Sequence, residues 1–343
     1  MQKKDKQGLA VLLVIVCVAA VISVYESSKS SSVSLNSRSA SETSISSKTL
    51  KDILFNKTQS QKKQKPSNEY IAKLQITGTI QSKNETYNQE WLLDTIDELQ
   101  NDENNKGIIL FIDSPGGTVY EADEVYLRLL KYKEEKPVYA YMGSLAASGG
   151  YYIACAADYI MANRNTLTGS IGVIAGEFTD ITGLMEKYGV HSETIHAGRN
   201  KNMGNINEPI TDEQRKIMQS IADECYEQFT GIVSESRNIP LNTIQELADG
   251  RIYTAKQALD NHLIDGIAQW EGIVSQMTAA EFENTEYEVV DYHYEQTQSL
   301  YRYLLGTAEH LSRTIANSRQ EIPQTVQEML KPKFSGPAYY YGR

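Results

Sequence analysis

GIILFID, residues 107–113, is an unbroken apolar run. A strand with one wet face would alternate apolar and polar residues. One without alternation needs cover on both faces, as in a parallel sheet flanked by helices. The surrounding pattern supplies that cover. YIAKLQITGTI, from Tyr70, alternates like a half-buried strand. NQEWLLDTIDELQN, residues 88–101, places Trp91, Leu92, Ile96 and Leu99 at helical spacing. Helix is expected again at 119–133, strand at PVYAYM (137–142), helix from about Ser148, and strand at YIMA (159–162). SETIHA, 192–197, also reads as a strand. Thr211 with Gln214, and Thr254 with Gln257, are capping boxes that predict helices over 212–236 and 255–262. Strand and helix keep alternating, so the predicted class is α/β with mainly parallel strands.

The N-terminus does not belong to that body. Residues 8–25, GLAVLLVIVCVAAVISVY, form an apolar run after Lys3, Lys4 and Lys6. At about 1.5 Å per residue such a run reaches roughly 27 Å, close to the hydrocarbon thickness of a bilayer. The lysines predict a cytoplasmic N-terminus and an extracytoplasmic body on the cell membrane, held by a single-pass transmembrane helix. A cleaved signal peptide is the rival reading, but Val21, Ile22 and Tyr25 crowd the candidate cleavage site. Residues 26–68 are Ser-rich, then polar and basic, and predict a flexible stalk. A linker of that length spans roughly 35–40 Å, which tethers the body near the bilayer. The predicted organisation is an anchor (1–25), the stalk (26–68), a catalytic body (69–277) and a C-terminal extension (278–343) with an amphipathic stretch at about 296–318.

Acidic residues outnumber basic ones, 44 to 33, giving a net charge of -11. Nucleic acid, which needs a basic face, is not an expected partner. Three cysteines, Cys17, Cys155 and Cys225, do not make a disulfide framework. No CxxC, HExxH or GxxxxGK[ST] pattern is present, so no metal or cofactor is expected.

Two glycine clusters carry the functional interest. DSPGGTV (113–119) follows the buried run at its carboxyl end, where open α/β sheets bind ligands. Paired glycines leave amides unshielded there, though an ordinary strand-to-helix turn also uses them. AASGG (146–150) lies between the next strand and helix. Ser148 is either a helix N-cap or a nucleophile beside unpaired amides able to hold an oxyanion. The G-x-S-x-G elbow is broken by Ala146. None of the five histidines, His191, His196, His262, His293 and His310, stands out as a base. A neutral lysine can serve instead, and Lys201, in HAGRNKNMG, is a candidate beside glycines and amides.

Joined in order, SPGG (114–117), AASGGYY (146–152), TGSIGVI (168–174), AGRNK (197–201) and GRIYTAKQA (250–258) resemble the bacterial serine signal peptide peptidase family, in its single-domain, membrane-anchored form. The resemblance covers about residues 68–277. It implies Ser148 as nucleophile, Lys201 as general base and Ser170 as the residue orienting that base. It implies Gly117 and Gly149 as oxyanion-hole amides. It further implies a Clp protease/crotonase-like fold of stacked ββα units. The same resemblance implies a homo-oligomeric ring, an octamer, whose serine and lysine come from neighbouring subunits. The expected function is a serine endopeptidase with a Ser-Lys dyad that degrades apolar peptides, such as cleaved signal peptides, at the outer face of the membrane. Where such sequences often read GLVD, this one has Asn261-His262-Leu263-Ile264-Asp265, a packing detail. His191 and His196 match no catalytic position and read as structural.

Two other classes compete: a crotonase-like acyl-CoA enzyme, and a non-catalytic membrane scaffold on a peptidase-like body. The apolar run at 8–25 speaks against the first and the intact Ser148, Lys201 and Ser170 against the second. The terminal KFSGPAYYYGR is apolar, tyrosine-rich and extended by Pro337. It is either an interface tail or a self-inhibitory strand in a substrate groove.

Overall fold

The computed structural model describes residues 66–295 and the backbone of Ala338–Tyr340. The apolar run at 8–25, the stalk up to residue 65 and the amphipathic stretch at 296–318 lie outside the described residues. Among the described residues no helix is long and apolar enough to cross a membrane.

A mainly parallel sheet forms the body. Its first members are β1 (Tyr70–Thr77), β2 (Asn105–Ser114) and β4 (Val138–Ala147), with the short β3 (Gly116–Thr118) following β2. Helix α1 (Gln89–Gln100) connects β1 to β2, and α2 (Val119–Lys133) connects β3 to β4. After β4 come α3 (Gly149–Ala154), β5 (Tyr159–Ala162) and β6 (Leu167–Gly169). Next are α4 (Thr182–Lys187), α5 (Asp212–Arg237) and α6 (Leu241–Leu247). Then follow β7 (Ile252–Thr254), α7 (Ala255–Asp260), β8 (Gly266–Ile267), α8 (Trp270–Glu281), β9 (Glu288–Tyr292) and, at the C-terminus, β10 (Ala338–Tyr340).

The strand order is β7-β6-β4-β2-β1-β9, with β5 on β4 and β8 on β5. All these pairs are parallel except β6 with β7. The apolar run 107–113 occupies the centre of β2, with Ile108, Ile109, Leu110 and Ile112 fully buried. Its side chains alternate between two cores. Ile108, Leu110 and Ile112 pack with Leu92 and Ile96 of α1 and Val125 and Leu129 of α2. Ile109 faces the other way, with Tyr139, Tyr141 and the α8 residues Ile273 and Met277. Burial of each such side chain stabilises the fold by about 1.5–3 kcal/mol relative to exposure, which explains the lack of alternation.

Both capping boxes form. Gln214 N donates to Thr211 Oγ1 while Thr211 N donates to Gln214 Oε1. Thr254 and Gln257 repeat the pattern. The strand expected over 192–197 does not form in this chain. Ile195 is 94% exposed there. A strand needs a backbone-paired neighbour, and this segment, bonded to Asn205 and Asn207 through side chains alone, has no strand partner among the described residues.

Candidate active site

Two irregularities in neighbouring strands build the site. In β4 the pairing with β2 runs from Ile112↔Met142 to Ser114↔Ala146, so β4 carries extra residues at Gly143, Ser144 and Leu145. Asp113 holds them: its Oδ1 accepts from Ser144 Oγ at 2.6 Å and from Leu145 N at 3.1 Å. Beyond this bulge β4 leaves β5 and takes β6 as its partner, with Ala147 opposite Gly169. The chain therefore arrives at Ser148 beside the loop that carries Ser170.

Ser148 occupies the N-cap position of α3 without capping it. Its side chain makes no capping bond to α3. Its φ of 54° and ψ of -118° lie in a region that L residues rarely occupy. A strained strand-to-helix turn of this kind resembles a nucleophile elbow, formed without the first glycine of that motif. Backbone bonds hold it on both sides: Ser148 N donates to Gly169 O at 2.8 Å, and Ser148 O accepts from Tyr152 N at 2.9 Å. The residue is fully buried. Its Oγ has no hydrogen-bond partner among the described residues. A buried, unpaired hydroxyl costs about 1–3 kcal/mol, and strained backbone a similar amount. Both costs fall on one residue, which is the pattern expected of a site kept for chemistry.

The two glycine clusters lie against each other. A Cβ on Gly149 would stand 3.3 Å from Gly117 N and 3.4 Å from Gly116 Cα. Gly149 opens α3, so its amide has no acceptor within the helix. Gly117 is packed against Ile80, where a Cβ would lie only 1.8 Å from Ile80 O. Gly116 O accepts from Ile80 N, and Thr118 N donates to Ile80 O, both at 2.9 Å. Backbone groups alternate along a strand, so the Gly117 amide points the opposite way, off the side of β3 away from Ile80.

That side is where β10 pairs. Ala338–Tyr340 run antiparallel to Gly116–Thr118, with Tyr339 opposite Gly117. The C-terminal segment read as a candidate groove strand is therefore placed on the glycine edge.

Ser170 lies next to Ser148, because Gly169 bonds Ser148 N. It is buried, has a φ of 50°, and donates its amide to Arg251 O at 2.8 Å. Lys201 is not brought in. It is exposed, held by a turn in which its amide donates to Gly198 O at 3.0 Å. Beyond the buried Ser170 and Ile171, much of the stretch leading to α5 is open, with Ile174, Leu184, Tyr188, Val190, Ile195 and Ile206 all exposed. His191 and His196 are exposed in the same stretch. So one chain assembles Ser148, Ser170, Gly117 and Gly149, and leaves Lys201 outside.

Comparison with known proteins gives a consistent picture. The model of peptidase family S49 matches residues 131–282. The chain is 32% identical over 284 residues to a candidate signal peptide peptidase, SppA, of Enterococcus faecium, covering 80% of this chain and 82% of that one. It is 37% identical over 201 residues to a candidate protease of Synechocystis, covering 59% and 70%. It is 35% identical over 193 residues to the chloroplast serine protease SPPA of Arabidopsis thaliana, covering 56% and 28%.

Proposed function

The chain belongs to peptidase family S49 and is a protease; from that premise we propose that it is a serine endopeptidase in which Ser148 attacks the peptide carbonyl. The observation that carries this is the buried, partnerless Ser148 Oγ on a strained turn beside the paired glycines. In the body, β2–β3–α2 has the order of the stacked ββα units of Clp protease and crotonase.

The base is Lys201 of a second copy. Burial beside apolar groups disfavours an ammonium and lets a lysine act as a base, and assembly supplies that burial. The exposed apolar side chains around it supply a surface that a neighbouring subunit can cover. Ser170 then orients the amine at Ser148. Neutral Lys201 takes the Ser148 proton as Oγ adds to the scissile carbonyl. The Gly117 and Gly149 amides hold the oxyanion. Lys201 returns the proton to the leaving amine, and water hydrolyses the acyl-enzyme. A closed ring, an octamer, satisfies every such contact at once.

The substrate binds as an added strand on β3. Backbone bonds give affinity there and alternate side chains give selectivity. Apolar peptides such as cleaved signal peptides suit this mode, presented where residues 8–25 hold the body at the outer face of the membrane. The antiparallel β10 on Gly116–Thr118 supports strand addition and favours a second reading, that the C-terminus inhibits its own enzyme. Removing residues after Phe334 is then expected to raise peptidase activity, and unchanged activity removes that reading.

The test of the main proposal is cleavage of an apolar signal-peptide substrate by the full chain in detergent, with Ser148→Ala alongside. Cleavage that vanishes in the variant is expected. Retained cleavage discards Ser148 as nucleophile. Hydrolysis of an acyl-CoA thioester but no peptide would favour the crotonase-like class. Activity on neither substrate would favour the scaffold.

A further inference from the structure

The parallel ladder joining β1 to β2 reaches a proline at its carboxyl end. Gly78 N donates to Asp113 O at 3.0 Å. In a parallel ladder the next bond runs from the amide of residue 115 back to Gly78 O. Residue 115 is proline and has no amide hydrogen. Ser114 supplies the missing donor from its side chain: Oγ donates to Gly78 O at 2.6 Å. The same oxygen accepts from Gly116 N at 3.1 Å. Ser114 is fully buried.

Past this point the ladder resumes through Ile80 and Gly117. The β1 side advances from Gly78 to Ile80 while the other advances from Ser114 to Gly117, so the second side carries one extra residue. That is a bulge, with Gly116 at φ 97° as its bent residue. It decides which way the Gly117 amide faces. The second glycine cluster rests on the same residue, since a Cβ on Gly150 would lie 3.1 Å from Ser114 O.

We propose that Ser114 is a positioning residue for peptide hydrolysis: its hydroxyl replaces the Pro115 amide and holds the bulge that aims Gly117 N–H at the oxyanion. This rests on the oxyanion role given to Gly117 above. Ser114 does not touch the substrate. Without its hydroxyl the buried Gly116 amide loses its acceptor, and the bulge is free to turn toward another one. An oxyanion donor must be held within about 0.5 Å to act, so a small rotation is felt in the rate.

The experiment measures kcat, KM, phosphonate inactivation rate and melting temperature on the full chain in detergent. The proteins are wild type, Ser114→Ala, Ser114→Cys and Ser148→Ala. For Ser114→Ala, kcat is expected to fall about 10- to 100-fold, with KM changed by less than about threefold. The phosphonate rate should fall in parallel, because its adduct places an oxygen where the oxyanion sits. A folded Ser114→Ala with wild-type kcat, or with a loss confined to KM, overturns the proposal. Should Ser114→Ala fail to fold, Ser114→Cys fills the site with a weaker donor, and its kcat decides in the same way. An inactive Ser148→Ala beside an unimpaired Ser114 variant sinks this inference alone. An active Ser148→Ala sinks the reading beneath it.

Discussion

Ser148 is held at φ 54° and ψ -118°, so replacing it with glycine should uncouple stability from activity. Strained backbone of this kind costs about 1–3 kcal/mol for a residue with a Cβ. Glycine escapes that cost but gives up about 0.5–1 kcal/mol through the greater freedom of its unfolded chain. Ser148→Ala keeps the Cβ and the strain while removing the hydroxyl. The comparison of Ser148→Gly with Ser148→Ala therefore isolates the backbone and predicts a net gain of about 1 kcal/mol for glycine. In a body of this size that is roughly 2–4 °C in melting temperature. Both variants should be inactive toward an apolar peptide. Thermal melts of the two full-length proteins in one detergent, with peptidase assays beside them, make the test. A glycine variant that melts at or below the alanine variant would show that no strain is stored at position 148, and the elbow reading would fall with it.

Gly117→Ala places a Cβ 1.8 Å from Ile80 O, against an ordinary contact of 3.4 Å or more, so β3 must move. Displacement of the amide proposed to hold the oxyanion should lower kcat by about 10²- to 10³-fold, measured with the variant's circular dichroism to confirm the fold. Cys155 offers a pH test. Burial pushes its thiol up to about 12. The folded state then keeps a proton that the unfolded chain releases above about pH 9, so this contribution is complete below pH 9 and is lost as pH rises toward 12. Its slope is about 1.4 kcal/mol per pH unit. Denaturant titrations from pH 8 to 11 should show a shallower alkaline decline in Cys155→Ala than in wild type, and identical declines would exclude the effect.

How far the sequence predicts this molecule depends on the range of each interaction. GIILFID and the two capping boxes are local: a few residues specify the buried strand or the helix start, and the structure has them where the pattern places them. The meeting of the glycine clusters is implied by the family resemblance alone, because the pairing of β2 with β4 is not a local property. The role of Ser114 does not follow, because it depends on which residue a parallel ladder sets opposite Gly78. The only local hint is a proline directly after a buried strand. SETIHA has strand composition but lacks a strand partner in its own chain, which periodicity cannot reveal. Lys201 poses the same difficulty in a stronger form. Its motif resembles that of the family's base, yet in one copy it is exposed while Ser148 Oγ is buried with no hydrogen-bond partner among the described residues.

The most direct test of the account is complementation between Ser148→Ala and Lys201→Ala. Each variant alone should be inactive. Co-expressed, so that copies assemble together, they should recover about a quarter of wild-type activity, the fraction of sites in which an intact serine meets an intact neighbouring lysine across a head-to-tail interface. Co-assembled particles that remain inactive, or a Lys201→Ala protein that cleaves peptide unaided, would contradict it.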